Sequence, residues 1–197
     1  MEQSQDLSVG ARMAIAKRAF RDEDFAVAKE HFRILADLGS KGAFLGLGAI
    51  YERGGHGVDK DFEKARYWYE RGVFEGDLLE AALALGKFYY MGMGVPVDYE
   101  KAYSYYAKLE NTNNAVALLR LGILFELGKG VPKDPQRARD FYRRAAKLKN
   151  IFARKNLGVF EVKHGNILWG LVLWSSAIIQ GFTLGLLKES DRRLRNW

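Results

Sequence analysis

The chain has 197 residues, 48% of them hydrophobic and 28% charged, a composition that fits one folded domain with a sizeable core rather than a disordered segment. It contains no cysteine, which excludes a disulfide framework, a Cys zinc site and a thiol nucleophile. The formal charge of +7 is unevenly placed: residues 1–132 hold 17 basic and 19 acidic side chains, whereas 137–163 hold nine basic and two acidic.

In chain order, the polar start from Met1 to Ser8 reads as a flexible N-terminus. With Glu2 and Asp6, no basic n-region and no apolar run, it lacks the features of a secretory signal, so the expected location of the main body is cytosolic. A repeat then begins. Asp24 to Gly39 matches Asp61 to Gly76 at an offset of 37, without the loop that follows in later copies, which predicts a shortened unit at the front. The full units are anchored at Leu47-Gly48, Leu85-Gly86, Leu121-Gly122 and Leu157-Gly158, a period of 36 to 38 residues that marks stacked supersecondary units.

Within each unit Ala43, Ala81, Ala117 or Ala153 stands five positions before the glycine, and apolar residues recur at helical spacing, predicting a first helix of about ten to fourteen residues. Tyr51, Tyr89 and Phe125 follow three residues after the glycine in three of them. Gly-rich loops at 54–58, 92–96 and 128–132 then supply helix-ending conformations. Asp61, Asp98 and Asp134 stand where they can cap a second helix, and Pro135 suits its first position. The second helices carry Ala65, Ala102 and Ala138, then the aromatic pairs Trp68-Tyr69, Tyr105-Tyr106 and Phe141-Tyr142. Alanines opposite the first-helix glycines would allow close approach, with the aromatics filling the space between successive pairs.

This order of Leu-Gly-x-x-aromatic, Gly-x-Gly-Val, Asp-x-x-basic-Ala and an aromatic pair resembles the SEL-one-like repeats, looped relatives of the tetratricopeptide repeats, over about residues 9–181. The fifth unit departs, with Glu161 in place of the aromatic and no capping Asp. The resemblance implies an all-α, right-handed α-solenoid of about five helix-turn-helix repeats that binds other proteins through its concave face, without catalysis or cofactor. Its cysteine-free form is similar to the intracellular branch. By the same analogy recognition falls on the first helices, at Ala49, Glu52, Arg53, Lys87, Tyr90, Ile123 and Glu126. Reversing the charges of Glu52, Lys87 and Glu126 is expected to abolish partner capture and leave the fold intact.

Catalytic signals are poor. His31, His56 and His164 are isolated, with no metal-ligand spacing, and His56 sits among loop glycines. Gly128-Lys129-Gly130 lacks the Ser or Thr and the preceding strand of a phosphate loop. Asp22, Glu23, Asp24, Asp59 and Asp61 are read as helix-end charges rather than acid/base groups. The run Arg137, Arg139, Arg143, Arg144, Lys147, Lys149, Arg154 and Lys155 is either a solvated face or a binder of phosphate groups; lipid suits it better than nucleic acid, for which no motif or interleaved aromatic is present.

The last segment has the most distinctive charge pattern. Ile167 to Leu187 holds no formal charge, and Lys188, Arg192, Arg193 and Arg195 lie in the basic tail 188–197. Aligned on the repeat, Asn166 is a substitute cap, while Gly170, Leu173-Trp174 and Ala177 replace Ala138, Phe141-Tyr142 and Ala145. One reading makes Ile167 to Gln180 the last repeat helix and Phe182 to Arg195 an amphipathic cap. The other makes the 21 residues a helix long enough to span a bilayer, or a hairpin hinged at Gln180-Gly181. On the second reading Ile167, Leu168, Trp169, Leu171, Leu173, Trp174, Ile178, Ile179, Phe182, Leu186 and Leu187 meet lipid. The domain layout is then 1–8 flexible, 9–166 solenoid, 167–187 apolar helix or hairpin and 188–197 basic tail. The expected function is a scaffold on the cytosolic face of a membrane, the inner one in a bacterium, binding proteins but neither nucleic acid nor a small-molecule substrate. The alternative is a soluble cytoplasmic regulatory module of the same fold whose C-terminal helices are a cap or a partner-binding surface.

Overall fold

The computed structural model describes the chain from Leu7 to Leu194, with side chains through Thr183. Among these residues there are ten helices and no strand: α1 (Val9–Arg21), α2 (Phe25–Asp37), α3 (Lys41–Arg53), α4 (Phe62–Phe74), α5 (Leu79–Met91), α6 (Tyr99–Ala107), α7 (Ala115–Leu127), α8 (Pro135–Lys147), α9 (Ile151–Lys163) and α10 (Ile167–Leu194). The first helices α3, α5, α7 and α9 are each 13 residues long, as the periodicity predicts. Two compact units divide the chain, residues 1–105 and 106–197.

In the first unit α1 packs on α2, α2 on α3, α3 on α4 and α4 on α5. Phe25, Phe32, Leu35, Phe44, Leu47 and Ile50 form its buried centre, with Trp68 packed against them. The shortened front unit is a complete helical pair, joined through Asp22, Glu23 and Asp24 with Glu23 at φ 60°. Ser8, assigned above to a flexible end, accepts a hydrogen bond from the Ala11 amide at 3.2 Å and caps α1; residues 1–6 of that segment lie outside the described residues. In the second unit α7 packs on α8, α8 on α9 and α9 on α10.

Each loop closes on its own helix in the same way. The backbone N–H of Asp61, Asp98 or Asp134 donates at 2.9 Å to the carbonyl of Tyr51, Tyr89 or Phe125. The side chains of the same three aspartates accept from Lys64 N (2.9 Å), Lys101 N (2.9 Å) and Gln136 and Arg137 N (both 3.0 Å). One residue therefore pins the end of the loop and satisfies orphan amides at the start of the next helix. Gly92 and Gly128 end α5 and α7 at φ 71° and 64°, a conformation that a side chain would strain.

Gly48 and Gly122 of the first helices face rings rather than alanines, which corrects the packing expected there from sequence. A Cβ on Gly48 would lie 2.5 Å from the Tyr69 ring, and one on Gly122 would lie 2.7 Å from the ring of Tyr142. The other aromatic of the pair stacks on the first helix: Tyr105 on Tyr89 and Phe141 on Phe125, both with centroids 5.7 Å apart.

Of the layouts considered for the last segment, the single helix is the one present. α10 is one continuous helix through Gln180 and Gly181, so the hairpin and the two-helix cap are both corrected. Gly181 is absent from the positive-φ residues, and a glycine inside a helix costs only about 1 kcal/mol. Asn166, expected as its cap, turns its amide to Glu161 Oε2 at 2.7 Å. Among the described residues no helix is long and apolar enough to cross a membrane. The side chains of Leu186, Leu187, Lys188, Arg192 and Arg193, and all of Arg195, lie outside the described residues.

Changing Asp98 or Asp134 to Ala removes the side-chain cap and leaves the backbone clamp. Stability to urea should fall by about 1 kcal/mol with unchanged helix content by circular dichroism.

Candidate interaction surfaces

The seven residues predicted as a partner groove are divided between the two units. Ala49, Glu52, Arg53, Lys87 and Tyr90 belong to the first unit, Ile123 and Glu126 to the second. Glu52 is an internal acceptor: the Tyr69 hydroxyl donates to its Oε2 at 2.8 Å, and Lys87 Nζ donates to its Oε1. Burial, and next the Glu52 charge, push the Tyr69 hydroxyl far above its usual range, so it remains a donor. Glu126 repeats the arrangement, accepting from Tyr142 at 2.7 Å and from Lys163 at 3.3 Å.

The remaining members play separate parts. The guanidinium of Arg53 lies 5.2 Å above Phe20, and Tyr90 meets Tyr99 edge-on at 5.5 Å. Ile123 is half-buried. Ala49 lines a cavity of 320 Å³ between α1 and α3 with Lys17, Phe20, Phe32 and Leu45. A larger cleft of 810 Å³ runs between α2 and α4 over α3, bounded by Arg33, Leu47, Tyr51, Tyr67, Trp68 and Arg71. Sequence reasoning missed it because its walls are second helices one repeat apart; the common 37-residue offset of α2 and α4 was the available signal. Arg71 is held rigid there, 4.5 Å above Phe44 and bidentate on Glu75 at 2.7 and 2.9 Å.

The arginines of the basic run have partners within the fold. Arg139 makes two hydrogen bonds to the fully buried Glu161, at 2.7 and 2.6 Å, and Arg143 approaches the same carboxylate at 3.7 Å. Arg137 lies 3.5 Å from Glu110 and 4.1 Å above Phe125. Arg144 donates to the Glu110 carbonyl and Arg154 to Gln180 at 2.7 Å. Lys147, Lys149 and Lys155 remain exposed. Arg139 and Arg143 thus tie α8 to α9, and Arg154 ties α9 to α10, while the side chains of Arg137 and Arg143 stay half-exposed.

The histidines are scattered. His56 is exposed in its loop, His31 lies 3.5 Å from Arg12, and His164 stacks on Phe160 with its Nδ1 2.8 Å from that residue's carbonyl. Asp24 and Asp61 cap α2 and α4, whereas Asp22 closes α1 and Asp59 is exposed. Among the described residues no group of three His, Asp or Glu could hold a metal.

On α10 the inner face packs on α9. A Cβ on Gly170 would lie 2.6 Å from the Gly158 carbonyl, and Ala177 is buried. The outer face is open: Ile167, Leu168, Leu171, Val172, Trp174, Ile178, Ile179 and Phe182 are exposed, Leu168 to 83%. At 3.6 residues per turn they cover an arc of about 160°. Trp169 is exposed outside this arc, and Leu173 is only half-exposed.

Glu161 and Glu52 each give rise to a test. Arg139→Ala should destabilise by about 2 to 3 kcal/mol, less than for a wholly buried pair because Arg139 is partly exposed. Arg139, by hydrogen bonding, holds the Glu161 carboxyl below its ordinary value of 4.5. Its stabilisation is complete above pH 4.5 and is lost as the pH falls through the lower folded value, so Glu161→Gln should flatten the acid limb of urea-midpoint profiles. Glu52→Lys should lower stability more than Lys87→Glu, because only the first leaves the buried Tyr69 hydroxyl without its acceptor.

Comparison with known proteins agrees with this geometry. The Sel1 repeat model matches residues 43–73, 79–109 and 115–150. The structure is similar to that of c5321, a protective antigen of uropathogenic Escherichia coli with an SLR fold, at TM-score 0.80 and 26% identity, covering 93% of this chain and 41% of the other. It is also similar to a Sel1 repeat protein from Oxalobacter formigenes, with TM-score 0.75, 24% identity and coverage of 92% and 76%. MamA gives TM-score 0.56, 21% identity and coverage of 94% and 93%. The chain thus spans about two fifths of the length of c5321. No curated protein sequence matches it. Three matched repeats, helical pairs joined by the same clamped loop and structural neighbours of SLR type make the chain a member of the Sel1 repeat proteins, all-α solenoids within the tetratricopeptide-like superfamily.

Proposed function

We propose that this chain is a non-catalytic scaffold that gathers protein partners on its helical repeats and attaches to the cytosolic face of a membrane through α10. The Sel1 repeat commonly mediates protein–protein interaction, which supports the first part. The observation that carries the second is the outer face of α10, a continuous exposed apolar surface from Ile167 to Phe182. In a bacterium the membrane is the inner one. Partners are proteins; nucleic acid and small-molecule substrates have no part in this reading, since the arginines of the basic run are occupied within the fold.

Leu168 and Ile179 test it best, being 83% and 64% exposed and remote from the α9 contact. The double variant Leu168→Lys/Ile179→Lys should keep its helix content and move from the membrane to the soluble fraction of lysed cells. Full retention on membranes would refute attachment through α10. A wild-type chain found wholly in the soluble fraction would favour the cytoplasmic module.

A further inference from the structure

The apolar surface is wider than one helix. On α9, Phe152 is 65% exposed and Val159 and Val162 are also open. Val159 and Val162 meet Leu171 and Trp174 of α10 across a shallow cavity of 240 Å³, so the two helices share one apolar face. Lys155 and Lys163 follow Phe152 at three and eleven residues, on the same helical stripe as Val159, and both are exposed, Lys163 while also paired with Glu126 at 3.3 Å. A tryptophan beside lysines at the margin of an apolar surface is the arrangement that suits the boundary between headgroups and acyl chains.

The same structure limits how α10 can meet a bilayer. Its inner face is held along α9 at Gly170 and Gly158, at Ala177, and at Gln180, which accepts from Arg154 at 2.7 Å. Crossing the hydrocarbon would draw Arg154, Lys155, Glu161 and Lys163 in with it, or undock α10 and strand the Gly158 surface. Charge in the bilayer core is costly, whereas an amphipathic surface can rest in the interface with its charges in water.

Resting on the membrane attachment proposed above, we infer that α9 and α10 dock together, flat, on an anionic bilayer surface. The apolar face enters the headgroup and acyl boundary, Lys155 and Lys163 meet lipid phosphates, and α10 does not cross. The occupant is the bilayer rather than a second copy of the chain because the lysines complement anionic headgroups, whereas a symmetric partner would bring further lysines to the same margin.

The test uses the full chain and vesicles of equal parts phosphatidylcholine and phosphatidylglycerol, with pure phosphatidylcholine as control. Binding should favour the anionic vesicles, and Lys155→Gln and Lys163→Gln should each weaken it by about fivefold. The chain has no cysteine, so Lys149→Cys and Ser190→Cys place single thiols before α9 and near the end of α10. An impermeant thiol reagent added outside should label both in the bound state. Protection of Ser190→Cys with strong binding would mean that α10 crosses, overturning flat docking but not membrane attachment. No affinity for either vesicle would overturn both, and a dimer dissociated by Ile178→Lys would then assign the face to a second copy. Equal binding to both vesicles, unchanged by the lysine variants, would overturn the role of the anionic surface.

Discussion

The packing of a tyrosine ring onto a glycine is the contact on which the repeat depends. Gly48 and Gly122 lack the side chain that would collide with Tyr69 and Tyr142, and the close approach carries each hydroxyl to a glutamate one helical turn beyond the glycine. Without the glycine the ring has no seat, and without the glutamate a buried hydroxyl has no acceptor. The lysine that completes each arrangement comes from the following first helix, Lys87 or Lys163. Shape, hydrogen bonding and charge thus act at a single point to join the two helices of a pair and then one pair to the next.

At the last pair this solution is replaced. Gly158 lies against the backbone of Gly170 and Trp174, bringing two main chains together where the earlier units insert a ring. Glu161, at a position held by tyrosine or phenylalanine in the preceding units, is fully buried and is bound by Arg139 and Asn166. The ionic network fixes the turn into α10 in place of aromatic stacking. A buried ion pair gives orientation more than net stability, which suits a junction whose next helix must present a particular face outward.

Features decided by nearby residues were legible in the sequence, and those decided by distant ones were not. The caps at Asp61, Asp98 and Asp134 depend on the next three residues, and the helix lengths depend on a period visible within one unit. The partner of Gly48, by contrast, lies 21 residues downstream, and an alanine at the expected interface was the simpler reading. The basic run looked like a free cationic face because the acceptors of Arg137 and Arg139 are Glu110 and Glu161, 27 residues before and 22 after. Glu52 and Glu126 were assigned to a groove for the same reason: their acceptor role is set by tyrosines on another helix. The apolar character of α10 could be read directly, but its continuity through Gly181 could not, since a lone glycine fits either a helix interior or a break.

The clamp between an aspartate N–H and an aromatic carbonyl also separates the length of the loop from the geometry of the helices it joins. The 54–60 connection holds one residue more than its counterparts, yet Asp61 meets Tyr51 at the same 2.9 Å, the excess being taken up by a small bridge between Gly55 and Val58. Loop closure entropy grows only slowly with length, so a foreign peptide inserted at exposed His56 would add little penalty while both ends remained pinned. The repeat is in this sense a ready frame for peptide display, in which each hinge tip can accept an insertion without changing the register of the helices behind it.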